Sequence, residues 1–323
     1  MDNIIKLKKK VLEGYSITKE EALMLYDAPL EELCKAANEI RMHFCGSTFD
    51  LCTIINGKSG RCTEDCKYCA QSAYYLTNIE TYPLLSTDDI LKQAKYNDKS
   101  GVLRFSIVTS GKTLNDEELD AVCESVQKIR KQTEFAICTS LGLLNEKQFH
   151  RLKESGVTRV HNNLETSRRY FPRICTTHSY EDKIAAIRSA RNVGLNVCSG
   201  GIMELGEAPE DRIDMALTLR DLGVQSVPVN MLNPIPGTPC ENNSCLTNDA
   251  MCRIVAVYRF LLPEASIRLA GGRGLLPDKG RACFISGANA AISGDMLTTS
   301  GISIATDMQM LHELGYKVVR QNA

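Results

Sequence analysis

Three cysteines in one short stretch, Cys62, Cys66 and Cys69 in the run CTEDCKYC, have the type and spacing of metal ligands. Thiolates at i, i+4 and i+7 can wrap three corners of a cubane iron–sulfur cluster, which ordinarily takes four. No fourth cysteine follows in the loop. One iron would stay open, the arrangement by which metal sites admit a substrate. A zinc knuckle on Cys66 and Cys69 with remote ligands is the other chemistry that this spacing allows. Core packing fits least, because Lys, Glu and Asp surround the three thiols.

The rest of the composition sets bounds on that chemistry. The chain has 323 residues and fourteen cysteines, a formal net charge of −1 and no tryptophan. Near-zero charge and few aromatics give no field or stacking surface for nucleic acid, and no basic patch for an anionic membrane. The first residues, MDNIIKLKKK, lack the apolar run of a signal peptide, and no stretch is long and apolar enough for a membrane span. The apolar run near residue 260 is broken by Arg259 and stopped by Pro263. We therefore expect a cytoplasmic protein, in which cysteines serve as core residues, ligands or redox groups rather than structural disulfides.

The elements that must hold the cysteine loop form a repeat. A helical segment ends in Gly and an apolar run follows at once, at Gly101, Gly156, Gly194, Gly223 and Gly315. Glycine accepts the left-handed turn that closes a helix, and the β-branched run after it reads as a buried strand. Helix starts agree, at Thr18, Ser86, Asn115 and Asn145, each followed by acidic residues. Strands are predicted at 51–56, 103–109, 135–140, 158–163, 195–199, 225–230 and 267–270, with an eighth at 290–293. This is the alternation of a TIM-type (βα)8 barrel. Residues 1–40 read as a helical extension, 41–300 as the barrel and 301–323 as a C-terminal helix and strand addition.

Strand side chains alternate between two faces. One parity class holds Cys52, Arg104 and Ser106, Cys138, His161 and Asn163, Asn196 and Cys198, Asn230 and Arg268. A barrel interior is normally Val, Ile and Leu, and buried polar groups are costly without partners. If that face is the interior, something polar or metallic occupies it. Arg104 in particular needs an anionic partner, either the cluster's thiolates and sulfides or a carboxylate beside them.

CxxxCxxC with an aromatic before the last cysteine is the signature of the radical S-adenosylmethionine enzymes. Within them the chain resembles the biotin synthase family, from about residue 40 to 300. The resemblance is carried by Lys58-Ser59-Gly60 before the cysteine loop, NNLETS at 162–167, CSGGI at 198–202, VPVNML at 227–232 with Gly237-Thr238-Pro239, Ile267-Arg268-Leu269, and Gly287-Ala288-Asn289 with Leu297-Thr298-Thr299. It implies a 4Fe–4S cluster on Cys62, Cys66 and Cys69 that chelates S-adenosylmethionine and releases a 5′-deoxyadenosyl radical. It implies dethiobiotin as substrate, sulfur drawn from a second, auxiliary cluster, a flavodoxin or ferredoxin reductant, and a homodimer. By the same resemblance Tyr68, Glu165, Lys183, Gly200 and Gly201 face S-adenosylmethionine. Asn163 and Asn230 face the ureido ring, and Lys58, Thr298 and Thr299 the valeryl carboxylate.

The family pattern holds the auxiliary 2Fe–2S cluster by three strand cysteines and an arginine. Cys138, Cys198 and Arg268 match three of these, and Ser106 stands where the fourth ligand is expected. Cys52 lies one strand over with the same orientation, and neighbouring strands are about 4.8 Å apart. We expect Cys52 to replace the lost thiolate, with a four-iron auxiliary cluster as one outcome. The competing readings are Cys52 as a core residue, Ser106 Oγ as the ligand, or Cys45 or Cys175 in its stead. At the level of function, the alternatives are a maturase-like radical enzyme on the same barrel, or a non-catalytic iron–sulfur or zinc protein.

Overall fold

A computed structural model of the chain describes residues 2–319; residues 320–323 of the expected C-terminal addition, and Met1, lie outside the described residues. The strands are β1 (Asp50–Lys58), β2 (Arg104–Thr109), β3 (Ala136–Ser140), β4 (Arg159–His161), β5 (Asn196–Cys198), β6 (Gly201–Met203), β7 (Ser226–Met231), β8 (Ser266–Leu269) and β9 (Ala290–Ile292). All pairings between them are parallel, and they run β5-β4-β3-β2-β1-β9-β8-β7-β6, with β5 also pairing β7 to close the ring. β5 and β6 are one barrel strand broken at Ser199-Gly200, so the barrel has eight strand positions.

The break differs from the single strand expected at 195–199, and its cause is steric. A Cβ on Gly200 would lie 1.9 Å from the Pro228 carbonyl oxygen, and one on Gly201 would lie 2.3 Å from the Glu165 carbonyl oxygen. The main chain passes so close to β7 and to the loop after β4 that only glycine fits.

The helices are α1 (Asp2–Leu12), α2 (Lys19–Tyr26), α3 (Leu30–Cys45), α4 (Thr87–Asp98), α5 (Asp116–Arg130), α6 (Glu146–Ser155), α7 (Tyr180–Asn192), α8 (Pro209–Asp221), α9 (Asn248–Leu261), α10 (Arg281–Phe284) and α11 (Ile304–Glu313). Thr18, Ser86, Asn115 and Asn145 each cap a helix as expected, their side chains accepting a backbone N–H three residues on. Gly156 closes α6 at φ +113°. α3 packs across α9, and α2 against α8 and α9, so the N-terminal helices cover one flank of the barrel.

Strand parity divides the barrel wall. Phe105, Ile107, Val160 and Val197 belong to the buried apolar core shared with the helices, while the other face opens on a central cavity. Arg259, which interrupts the apolar run of α9, is fully buried. Its guanidinium donates to the carbonyls of Gly287, Pro263 and Ala265 and to Asn289 Oδ1, stapling α9 to the ends of β8 and β9. Among the described residues no helix is long and apolar enough to cross a membrane.

Gly200→Ala should lower the unfolding free energy by about 3 kcal/mol, because its methyl must displace main chain rather than a flexible side chain. A urea melt unchanged from wild type would refute the steric account of the broken strand.

Candidate active site

The cavity inside the barrel has a volume of about 410 Å³. Its lining gathers the polar parity class except Asn196, which lies outside it: Cys52, Arg104, Ser106, Cys138, His161, Asn163, Cys198, Asn230 and Arg268. Tyr68, Cys62, Cys69, Glu165 and Lys183 line it as well, as do Thr298 and Thr299. Thus residues far apart in sequence meet, the parity class on, or just beyond, inward-facing strand positions, Lys183 from α7 and the rest from loops that follow the strands.

Four predicted site residues are outside the lining: Lys58, Cys66, and Gly200 and Gly201 at the strand break. Lys58 lines none of the cavity; its ammonium lies 2.6 Å from Glu118 Oε1 and clamps β1 to α5. Cys66 is also outside the lining, with its sulfur 3.8 Å from Cys175 Sγ. The loop around it is held by main chain: Cys62 N–H donates to Gln71 O, Cys69 N–H to Cys66 O and Lys67 N–H to Ile174 O. Cys45 and Cys175, weighed as substitutes for the missing auxiliary ligand, are not near that site. Cys45 Sγ lies 3.5 Å from Arg259 Nη1, behind the barrel wall, and Cys175 belongs to the neighbourhood of the three-cysteine loop.

The floor of the cavity is a charge knot that the sequence reading passed over. Asp50 Oδ2 accepts from Arg104 Nε at 3.1 Å and from Arg159 Nη1 at 3.2 Å. Arg268 Nη2 lies 2.8 Å from the same oxygen, close enough for charge attraction, yet makes no hydrogen bond of acceptable geometry. Arg268 Nη1 donates to Asp50 O, Ala291 O and Cys52 Sγ, the last at 3.2 Å. Burial alone would raise the Asp50 carboxyl, but Arg268, Arg104 and Arg159 outweigh it and hold it well below the usual carboxylate range. Asp50 and Arg159 each lie two residues before a residue already assigned to the polar face, Cys52 and His161. Extending the period-2 pattern by one step would have found both.

The thiols above this floor differ. Burial pushes Cys52 up to about 12 despite Arg268, and pushes Cys138 up despite Arg159 and Arg104. For Cys198 burial is overcome by the hydrogen bond and charge of His161, with Arg268 and Arg159, which bring it down to about 6. Binding of a metal deprotonates all such ligands.

An iron–sulfur group fits these residues on structural grounds. Among the described residues Arg268 Nη2 and Arg159 Nε are buried with no hydrogen-bond acceptor, and the floor carries two more positive charges than negative ones. Thiolate and sulfide acceptors would satisfy both deficits. Cys52 pairs with Arg104, Ser106 with Cys138, and His161 with Cys198 across neighbouring strands, and all six face the one cavity.

On the opposite wall Glu165 occupies the left-handed region at φ +70°, a strained conformation for a side chain that is not glycine. Its carbonyl accepts from Ile202 N–H, and its carboxylate accepts from Asn163 Nδ2 at 3.3 Å. Burial raises its pKa against the opposing charges of Lys183 and His161. Asn163 Oδ1 accepts from Gly200 N–H, Asn230 Nδ2 donates to Gly201 O, and Asn230 Oδ1 accepts from Gly271 N–H. Both amides thus pin the broken strand. An amide offers two donors and two lone pairs, so each keeps capacity for a further partner.

Comparison with known proteins adds the following. The family model of the radical SAM superfamily matches residues 58–219, and that of the biotin and thiamin synthesis associated domain matches 228–317. Over 97% of this chain and 94% of the relative, the sequence is 59% identical to the biotin synthase of Brachyspira hyodysenteriae. It is 56% identical to that of Akkermansia muciniphila, over 97% of each chain. It is 54% identical to one from Clostridium botulinum, over 98% of this chain and all of the other. Among solved structures, a methylornithine synthase superposes with TM-score 0.85 at 22% identity over 97% of both chains. An FeFe-hydrogenase maturase from Carboxydothermus hydrogenoformans superposes with TM-score 0.84 at 16% identity, over all of this chain and 80% of the other. These two establish the barrel fold alone.

Asp50→Asn should lower the unfolding free energy of the metal-free chain by about 3–5 kcal/mol at neutral pH, since three buried guanidiniums lose their counter-ion. The native carboxyl titrates below its unfolded value, so its stabilisation is complete above the ordinary carboxylate range and is lost as pH falls through the depressed native value. Wild type and variant should therefore begin to converge as pH falls below about 4 and close further the more acid the solution. Denaturant titrations at stepped pH check this; a gap that persists unchanged into acid contradicts it.

Proposed function

The chain belongs to the biotin synthase family of radical S-adenosylmethionine enzymes, and on that footing we propose that it inserts sulfur into dethiobiotin to make biotin. The observation that carries the reading is the convergence of Cys52, Cys138, Cys198 and Arg268 on the cavity that Cys62, Cys69 and Tyr68 also line. When bound, a 4Fe–4S cluster and S-adenosylmethionine supply the radical, and an auxiliary iron–sulfur cluster supplies the sulfur. The hydrogens to be removed from dethiobiotin are on unactivated carbons, which explains a site poor in poised acid–base groups.

The chain's own side chains bind and orient. Cys62, Cys66 and Cys69 hold the first cluster. Cys138, Cys198, Arg268 and Cys52 hold the second, with Cys52 taking the part that Ser106 cannot. Cys52 is supported by its contact with Arg268 and by its place beside Arg104 on the neighbouring strand. Four sulfur or nitrogen ligands lining one cavity suit a 2Fe–2S cluster or a larger four-iron one, and the iron count decides between them. Asn163 and Asn230 hold the ureido ring with their spare donors and acceptors. Thr298 and Thr299 donate to the valeryl carboxylate; Lys58, engaged with Glu118, is left out of that role. Glu165 takes the ribose hydroxyls and Lys183 the methionine carboxylate. Tyr68 flanks the adenine, and Gly200 and Gly201 let the main chain approach the nucleoside. A one-electron donor of the flavodoxin or ferredoxin class, a cytoplasmic setting and a homodimer complete the reading.

Purified anaerobically and reconstituted, Cys52→Ala should lose the auxiliary iron and sulfide but keep the first cluster, whereas Ser106→Ala should keep both. Iron and sulfide analysis with Mössbauer spectra reads this directly; an unchanged content in Cys52→Ala rejects the swap. With reductant and dethiobiotin, the wild type should form 5′-deoxyadenosine and biotin together. Formation of 5′-deoxyadenosine without any biotin would overturn the substrate assignment.

A further inference from the structure

Outside the barrel cavity the described residues hold one group of three soft ligands, of which Cys175 and His178 have no role above and Cys66 is shared with the three-cysteine loop. Cys66 Sγ, Cys175 Sγ and one ring nitrogen of His178 lie within 4.8 Å of one another, and Nδ1 itself is 3.3 Å from Cys175 Sγ. Cys66 Sγ to Cys175 Sγ is 3.8 Å, and Cys175 Sγ to His178 Nε2 is 3.8 Å. Two thiolates and one imidazole around a tetrahedral zinc ion, with Zn–S about 2.3 Å and Zn–N about 2.0 Å, stand about 3.8 Å apart for S–S and about 3.6 Å for S–N. The Cys66–Cys175 and Cys175–Nε2 separations, both 3.8 Å, match those spacings. By contrast, thiolates of a cubane sit on different irons and cannot approach so closely.

The surroundings complete the pattern. His178 Nδ1 is 2.5 Å from Glu64 Oε2, so Nδ1 carries the proton and Nε2 is free to bind a metal. This carboxylate–histidine arrangement typically orients a zinc ligand. Glu64 is itself fixed by Thr177 Oγ1, and Asp65 is anchored by the backbone N–H groups of Thr176 and Thr177. Cys175 and His178 are buried. Thiolate with imidazole selects zinc among the common divalent ions.

We propose that Cys66, Cys175 and His178 form a tetrahedral site for a divalent cation of the zinc class, with water in the fourth position, and that it is filled only while the three-cysteine loop lacks its cluster. Cys66 can serve one metal at a time. The cation would hold Cys66 away from Cys62 and Cys69, so zinc occupancy and cluster loading exclude each other. The competition rests on the radical enzyme reading given above; the cation site itself does not.

The test uses the full-length chain, stripped of metal anaerobically and titrated with cobalt(II). One equivalent should give the intense visible absorption of tetrahedral cobalt with sulfur-to-cobalt charge transfer. Cys66→Ala, Cys175→Ser and His178→Ala should each abolish it or weaken binding by more than about tenfold, and Glu64→Gln by about tenfold. Cys62→Ala and Cys69→Ala should bind as wild type. Loss of the signal in Cys62→Ala or Cys69→Ala but not in Cys175→Ser would locate the metal on the three-cysteine loop and overturn the proposal; so would pale octahedral cobalt in every variant. In a second arm, zinc-loaded wild type should take up iron and sulfide more slowly than stripped wild type, while zinc should not slow Cys175→Ser. Equal slowing in both overturns the exclusion even where the cobalt arm succeeds.

Discussion

A carboxylate buried against three guanidiniums is the constraint on which the inside of this barrel depends. Asp50 meets Arg104, Arg159 and Arg268 through one oxygen, on strands β1, β2, β4 and β8. Charges taken out of water cost several kcal/mol each unless paired, so these four residues are stable only together. The pairing is incomplete in a way that matters: positive charge is in excess, and among the described residues buried Arg159 Nε and Arg268 Nη2 have no hydrogen-bond acceptor. The cavity floor is thus built to receive something anionic that accepts hydrogen bonds. Thiolates of Cys52, Cys138 and Cys198 and the sulfides between them meet that description, which makes electrostatics and ligand placement parts of one design.

A second constraint is the break in the barrel strand between β5 and β6. Glycines at 200 and 201 bring main chain against Pro228 and Glu165 at distances no Cβ allows. Asn163 and Asn230 then bond to the exposed main-chain groups at the break. Glu165 is forced to positive φ at the same spot. Local strain, side-chain hydrogen bonding and close backbone approach therefore coincide on the wall opposite the charge knot. Both walls act on one enclosed space, with the three-cysteine loop along its edge.

The barrel is shared with proteins whose chemistry differs, as the methylornithine synthase and hydrogenase maturase likenesses illustrate. Fold alone decides little here. What separates this chain is which residues occupy the inward parity positions, and over nearly its whole length it is more than half identical to biotin synthases.

Much of this could be read from sequence because two strong periodicities carry it. Glycine-closed helices followed by apolar strands specify a parallel barrel, and alternation along a strand then assigns Cys52, Cys138, Cys198 and Arg268 to one face without reference to any neighbour. The cysteine loop was legible for a similar reason, since its ligands are close in sequence. Other features depended on contacts between distant segments and were visible only in three dimensions. The Asp50 knot joins four strands, and Lys58 is drawn to Glu118 sixty residues away. Cys66 meets Cys175 across 109 residues. Gly200 breaks its strand because of a carbonyl on another. Sequence determines which face a side chain takes; only the closed barrel decides which charge, carbonyl or sulfur it will meet there, because those partners are set by strand register and loop path rather than by local spacing.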